Sequence, residues 1–317
     1  MEKNTVFIGK IKKYILDKNY RTLVHSGHGL YNNLPDKEYL EKCFFARLGY
    51  ELNLDNPRTF NEKLQWLKLY DRDDEYTFLV DKYEAKKIVA NKIGYEYVIP
   101  TIGVWDYPEE IEFNNLPSQF VLKCSHNSGT GMYICTNKEK INLKKVRAGL
   151  TRGIKEDYYL KGREWPYKNV KRRILAEKFM VDESGVELKD YKIFCFNGEP
   201  CYIQVDFGRF TKHERNLYST DWNYMGFASL YPTNPEYIIP KPVCLDEMLD
   251  ISKTLSKGIP FMRVDLYVIG KHIYFGEMTL YHGSGFEPFT PFEWDRKLGD
   301  LLILPEAKIY GKENKYL

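Results

Sequence analysis

The stretch Phe261-Met262-Arg263-Val264-Asp265-Leu266-Tyr267-Val268, then Gly270-Lys271, then His272-Ile273-Tyr274-Phe275-Gly276-Glu277-Met278-Thr279, decides the reading of the fold. Two alternating runs around a Gly-Lys break predict a β-hairpin. In such a hairpin Asp265 and Glu277 can lie on adjacent strands and point to one face. Carboxylates side by side repel unless a cation sits between them. Hard oxygen donors of this kind suit Mg²⁺, which usually takes one or two carboxylates and completes its shell with substrate phosphates. The plainer alternative is a polar strand face on which Arg263 pairs with Asp265. A glycine turn, Tyr281-His282-Gly283-Ser284-Gly285-Phe286, follows the hairpin.

Upstream, Val121-Leu122-Lys123-Cys124 is a short apolar run carrying one lysine, and Ser125-His126-Asn127-Ser128-Gly129-Thr130-Gly131-Met132 follows at once before Tyr133-Ile134-Cys135 resumes. This predicts strand, flexible loop, strand. Glycines let a backbone approach a phosphate, and successive N–H groups can cradle it. A lysine just before the loop supplies a point charge for the same anion. The pattern is not a Walker A motif, because no Gly-Lys-Ser/Thr closes the loop. A plain hairpin turn is the alternative.

Arg173 to Met180 reads as a strand ending in charge. After the insert Val181 to Lys189 comes Asp190-Tyr191-Lys192-Ile193-Phe194-Cys195-Phe196-Asn197-Gly198, a strand running into an Asn-Gly turn, and Cys201 to Asp206 returns from it. Period-two alternation puts Asp190 and Lys192 on one face.

In this order the chain resembles the ATP-grasp enzymes, and more narrowly their TupA-like branch, associated with teichuronopeptide and other surface-polysaccharide biosynthesis. The closer resemblance rests on Thr59-Phe60-Asn61-Glu62-Lys63-Leu64-Gln65-Trp66, Asp81-Lys82-Tyr83, Gly162-Arg163-Glu164-Trp165, Asp190 to Gly198, Phe261 to Glu277 and Gly283 to Phe286. It implies an α+β ATP-grasp fold, with two α+β subdomains gripping ATP between antiparallel sheets. The expected division is a helical N-terminal segment at 1–75, a subdomain with the glycine loop at 76–175, and a C-terminal subdomain with the Mg-binding sheet at 176–317.

The resemblance also implies roles. Lys82 and Lys123 would hold the ATP phosphates from two sides, and Ser128, Gly129, Thr130 and Gly131 belong to the loop that would close over them. Glu177, Lys178 and Met180 would line the adenine slot. Asp190, or else Asp182 or Glu183, would meet the ribose. Lys192 and Arg215 would face the transferring phosphate, and Arg263 would stabilise the acyl-phosphate. Asp265 and Glu277 would ligate Mg²⁺, with Thr279 where the family usually carries Asn. The implied reaction is ATP-dependent amide formation between a carboxylate and an amine, the partners being an amino acid and a uronic acid, as small molecules or glycan-linked. Two alternatives stand beside it: a kinase of the same fold acting on a sugar hydroxyl, and a non-catalytic or glycosyltransferase-associated relative.

Composition agrees. The chain has 317 residues, 43% of them apolar, and a near balance of 47 basic and 44 acidic side chains, so no global pull toward nucleic acid is expected. Its 26 tyrosines and 18 phenylalanines are explained most simply by an aromatic core. Six cysteines without CxxC spacing fit a reducing cytoplasm. No run has the length of a membrane span; the resemblance implies association with membrane-proximal polysaccharide machinery. Val6-Phe7-Ile8 and Tyr14-Ile15-Leu16 among lysines read as a short basic amphipathic helix, either packed on its own protein or touching an anionic membrane or a partner.

Helices are expected from Asp36 to Leu48, after Thr59 in a capping box, from Lys82 to Ile93, from Asn142 to Tyr159 and from Leu245 to Lys257. Two basic segments carry alternatives. Lys161 to Lys168 is a solvated loop, or its exposed Trp165 and Tyr167 contact a sugar-like ligand or nucleotide. Arg209 to Arg215 is a surface loop or an anion site. His282 positions a nucleophile or is a hydrogen-bonded structural histidine.

Overall fold

The computed structural model describes residues 2–182, 188–208 and 212–309. The N-terminal segment is helical: α1 (Glu2–Leu16), α2 (Lys18–Gly27), α3 (Asp36–Leu48) and α4 (Phe60–Tyr70), followed by the short strand β1 (Asp71–Arg72), α5 (Glu75–Val80) and α6 (Glu84–Ile93). The expected capping box at Thr59 is present. Thr59 Oγ1 accepts from the Glu62 amide at 3.1 Å, and Glu62 Oε2 accepts from the Thr59 amide at 2.9 Å. This fixes where α4 starts and so where Phe60 enters the core.

The second region holds β2 (Thr101–Trp105), β3 (Phe120–Cys124), β4 (Tyr133–Cys135), α7 (Leu143–Lys155), α8 (Tyr159–Gly162) and β5 (Ile174–Lys178). Its antiparallel sheet has the order β2-β5-β3-β4. Val146 and Leu150 of α7 cover it over Phe120, Leu122, Ile174 and Ala176. The helix expected to reach Tyr159 stops at Lys155, and Asn142 caps its start through the Lys145 amide.

The third region holds β6 (Asp190–Phe196), β7 (Glu199–Phe207), β8 (Glu214–Ser219), β9 (Ala228–Ser229), α9 (Leu245–Ser256), β10 (Phe261–Ile269), β11 (His272–Thr279), β12 (Phe289–Thr290), α10 (Glu293–Leu301) and β13 (Lys308–Ile309). Five strands form one antiparallel sheet in the order β11-β10-β6-β7-β8. Asn197 and Gly198 both take positive φ in the β6–β7 turn, 52° and 83°, as a type I′ turn requires. Residues Ile193, Cys195, Met262, Val264 and Leu266 face α9, whose Met248, Ile251 and Leu255 are buried against them.

The opposite face of this sheet is mixed. Toward one end Phe196 and Phe261 meet Phe60 of α4, with ring centroids 5.4 and 4.9 Å away. Aromatic pairs of this geometry add roughly 0.5–1.5 kcal/mol each beyond area burial. They lock the N-terminal segment to the sheet. Helix α10 is pinned there too: Lys63 donates to the carbonyls of Gly299 and Leu302 at 2.8 and 2.7 Å, and Asp295 accepts from the Asn61 amide and side chain, each at 2.9 Å.

The architecture is thus α+β, with a helical start and two large antiparallel sheets, as expected. A second expectation fails. Lys161 to Lys168 is not an exposed loop: Arg163, Glu164 and Trp165 are buried. Arg163 donates to the carbonyls of Tyr31 and Asn32 and stacks on Tyr39. Its charge ties the N-terminal helices down, and no exposed tryptophan is left there to meet a sugar.

Candidate active site

The polar end of the large sheet gathers the titratable residues that the sequence singled out. Strand register puts Glu277, Asp265, Lys192 and Gln204 in one row across β11, β10, β6 and β7. The neighbouring row runs Thr279, Arg263 and Phe194, and on the other side lie Asp190, Asp206 and Arg215.

The alignment of Glu277 with Asp265 depends on a β-bulge. Pairing runs regularly from Ile269 opposite His272 to Leu266 opposite Phe275, then slips by one so that Asp265 faces Glu277. Gly276 is the extra residue. A Cβ there would lie 3.0 Å from the Asp265 carbonyl oxygen and 3.0 Å from the Tyr267 ring. Without the bulge Glu277 would share the apolar face with Ile273 and Phe275.

Charges in the rows are paired densely. Arg263 donates from Nε to Asp265 Oδ1 at 2.6 Å and from Nη2 to Asp265 Oδ2 at 2.7 Å. Its Nη2 also reaches Glu277 Oε1 at 3.1 Å. Lys192 donates to Asp190 and Asp265, both at 2.6 Å. The Arg263–Asp265 pairing weighed in the sequence as the plain alternative is therefore present. Burial pushes the Asp265 carboxyl up, yet three short bonds from two cations hold it ionised. Burial opposes the charge of Lys192, but Asp190 and Asp265 outweigh it and raise its pKa. Glu277 is the open member, its side chain 36% exposed. Burial works against its charge, but Lys82, Arg263, Lys192 and Lys123 prevail and lower its carboxyl to about 2.

The smaller sheet supplies the opposing wall. Lys82 lies 3.8 Å from Glu277 and donates to the Asn127 carbonyl at 2.8 Å, so it spans the two sheets at the root of the glycine loop. Burial lowers its pKa. The base of the loop is buried at Ser125, His126 and Asn127, whereas Ser128 and Gly129 are exposed. Asn127 donates to the Gly153 carbonyl, His126 Nε2 to the Glu156 carbonyl and Thr130 to Glu156 Oε1, each at 3.1 Å. Gly131 sits against Gly153, where a Cβ on Gly153 would come within 2.9 Å of the Thr130 carbonyl oxygen.

Lys123 contacts Glu177 at 2.5 Å, and Lys86 closes on the other carboxylate oxygen. Burial would raise the Glu177 carboxyl, but Lys123 and Lys86 override it and hold it low. Beyond it Lys178 is exposed and Met180 half-buried. Asp182 is buried near Lys189. Glu183 and Arg209 lie outside the described residues.

Arg215 stands behind this group. It donates to Asp206 at 2.8 Å, to Glu287 at 2.8 Å and to the Ser229 carbonyl at 2.9 Å. His282 links it forward, with Nδ1 accepting from Arg263 Nη1 at 3.0 Å and Nε2 lying 3.0 Å from Glu287 but out of line for a hydrogen bond. His282 is thus a buried structural member of the network. Asp206, Glu287, Lys86 and the fully buried Lys68 were not foreseen. Lys68 donates to Gln65, the Gly162 carbonyl and the Ser284 carbonyl at 2.9, 2.7 and 2.7 Å. Ser284 holds a strained φ of 55° beside it. Only a strand-borne or helix-borne polar residue inside an apolar run would have signalled these partners.

The donor set fits a metal that arrives with a polyphosphate. Glu277 keeps part of its side chain open, Asp265 lies directly across from it with both oxygens held by Arg263 and Lys192, and Thr279 adds a hydroxyl in the adjoining row. Among the described residues no group of three or more His, Cys, Asp or Glu is arranged to hold a metal unaided.

A loop of glycines thus faces the charged edge strand of the large sheet, with Lys82 between them. The family model described as TupA-like ATPgrasp matches residues 62–303, and the chain belongs to that family, with its ATP-grasp fold. Similar solved structures include D-alanine–D-alanine ligase from Helicobacter pylori (14% identity, 79% of this chain and 68% of that one, TM-score 0.44). Another is D-alanine–D-alanine ligase from Bacillus anthracis complexed with ATP (14% identity, 64% and 55%, TM-score 0.39). A third is biotin carboxylase from Campylobacter jejuni (13%, 72% and 47%, TM-score 0.39). The chain spans little more than half the length of the Bacillus ligase. No curated protein matches the chain.

Proposed function

We propose that this chain is an ATP-dependent carboxylate–amine ligase that forms an amide through an acyl-phosphate, joining an amino acid and a uronic acid in surface-polysaccharide biosynthesis, in the cytoplasm. The observation that carries the reading is the row Glu277–Asp265–Lys192, backed by Arg263, facing Lys82 and the glycine loop. In this reading residues 76–175 and 176–317 are the two gripping subdomains, and 1–75 is the helical N-terminal segment.

Lys82 and Lys123 bind the ATP phosphates, and Ser128, Gly129, Thr130 and Gly131 fold over them and exclude water, in which an acyl-phosphate hydrolyses. Glu177, Lys178 and Met180 border the base, and Asp190 meets the ribose. Asp265 and Glu277, with Thr279, would hold Mg²⁺, which neutralises phosphate charge when bound. A carboxylate oxygen attacks the γ-phosphorus and the bond to ADP breaks. The amine then adds to the acyl carbon, inorganic phosphate leaves, and the nitrogen gives up a proton. Lys192 and Arg263 neutralise the charge that these steps develop. Arg215 acts from behind by fixing Glu287.

The test is ADP release from Mg-ATP with a panel of uronic acids and amino acids, using hydroxylamine as a general amine. Carboxylate-dependent ADP with hydroxamate supports the ligase. ADP that depends on a hydroxyl compound, without hydroxamate, would replace it with a kinase.

A further inference from the structure

We propose that α1 lies flat on an anionic membrane surface and docks the protein there. The helix sits outside the body. Its packing partner is α2, which itself buries no residue. Two local devices hold the pair together: Tyr14 Oη bonds His25 Nε2 at 2.8 Å, and Arg21 donates to the carbonyls of Tyr14 and Ile15 at 3.2 and 3.0 Å, closing the C-terminal end of α1.

That arrangement leaves apolar surface in water. Every residue from 9 to 16 is exposed, with Ile11 at 45%, Ile15 at 64% and Leu16 at 71%. Ile11 and Ile15 are one turn apart and share a stripe, and helical spacing puts Lys10 and Lys12 on its two flanks. Such flanking lysines can extend toward lipid headgroups while the stripe enters the acyl boundary. Over Glu2–Leu16 there are four lysines against one glutamate. This charge argues for an anionic surface and against a second copy of the same helix, which would bring like charges together. Among the described residues no helix is long and apolar enough to cross a membrane, so the helix would lie on the surface rather than span it.

The test is co-sedimentation of the full chain with phosphatidylcholine vesicles, with or without 30% (roughly) phosphatidylglycerol. Wild type should pellet with the anionic vesicles, weaken as salt rises, and stay mostly in solution with the neutral ones. Ile11→Glu with Ile15→Glu should abolish pelleting. Lys10→Gln, Lys12→Gln and Lys13→Gln together should weaken it on the order of a hundredfold. All substituted residues are exposed, so unchanged thermal melting will establish that the variants fold. Wild type remaining in solution with anionic vesicles, or variants that pellet equally, would overturn the proposal. So would light scattering that gives a dimer which the isoleucine variants dissociate. None of these readouts depends on the catalytic reading.

Discussion

Arg263 grips Asp265 with two bonds, 2.6 and 2.7 Å long, from two residues away on the same face of one strand. Both side chains are buried, and Lys192 holds the same carboxylate from the next strand at 2.6 Å. Glu277, across the hairpin, is far more open. Breaking a buried ion pair from one side costs about 3–5 kcal/mol, because the partner stays buried and uncompensated. Asp265→Asn should therefore lower the melting temperature by on the order of 10 °C. Glu277→Gln should melt near wild type while ADP release falls by about two orders of magnitude or more. Calorimetry beside a turnover assay separates the two, and turnover of Glu277→Gln within about threefold of wild type would take Glu277 out of the metal site.

Lys123 shares Glu177 with Lys86. Lys123→Ala leaves that carboxylate one partner, so the fold should survive with reduced stability while ATP affinity drops about tenfold or more. Titration calorimetry with ATP reads this directly, and unchanged affinity would remove Lys123 from the phosphate site.

His282 accepts a hydrogen bond from Arg263 at Nδ1 and must be neutral in the folded chain. Burial lowers its pKa, Glu287 opposes the shift and Arg263 adds to it. The unfolded chain protonates near the ordinary histidine value of about 6.5. Stability from this group is thus complete above that pH and is lost as pH falls below it, where the unfolded state binds the extra proton. Denaturant unfolding between about pH 5 and 7.5 should show a steeper acid-side loss in wild type than in His282→Asn. Parallel curves would assign the loss to other groups.

Gly299 packs against the backbone at the start of α4: a Cβ there would lie 2.2 Å from the Arg58 carbonyl oxygen and 2.8 Å from the Phe60 amide nitrogen. Gly299→Ala must push α10 off the start of α4, at a cost of roughly 1–3 kcal/mol. A fall in the urea midpoint at unchanged slope would report this, and an unchanged midpoint would show that the two helices can part freely.

What the sequence made legible was local. Thr59 and Glu62 lie three residues apart, Asn197-Gly198 names its own turn, and the alternation around Gly270-Lys271 announces the hairpin. The Ser125–Met132 loop and the shared face of Asp190 and Lys192 belong to the same kind. Partners distant in sequence stayed hidden. Nothing near Arg215 points to Glu287, and nothing near Lys68 points to the carbonyls of Gly162 and Ser284. Arg163 and Trp165 sit in a basic segment that reads as surface, yet Arg163 holds the connection between α2 and α3 and Trp165 stacks under Arg72, partners that only the tertiary fold brings alongside.

The single extra residue at Gly276 works like a reading frame. The polar and apolar letters of the β11 sequence do not by themselves say which face will carry Glu277. The bulge that absorbs one residue between the turn and Asp265's partner does. Substitution scanning would pass over this, since most single replacements keep the count. Deleting Gly276 would remove the bulge and still leave Glu277 opposite Asp265, whereas a regular ladder that kept Gly276 would turn the carboxylate into the hydrophobic layer beneath the sheet.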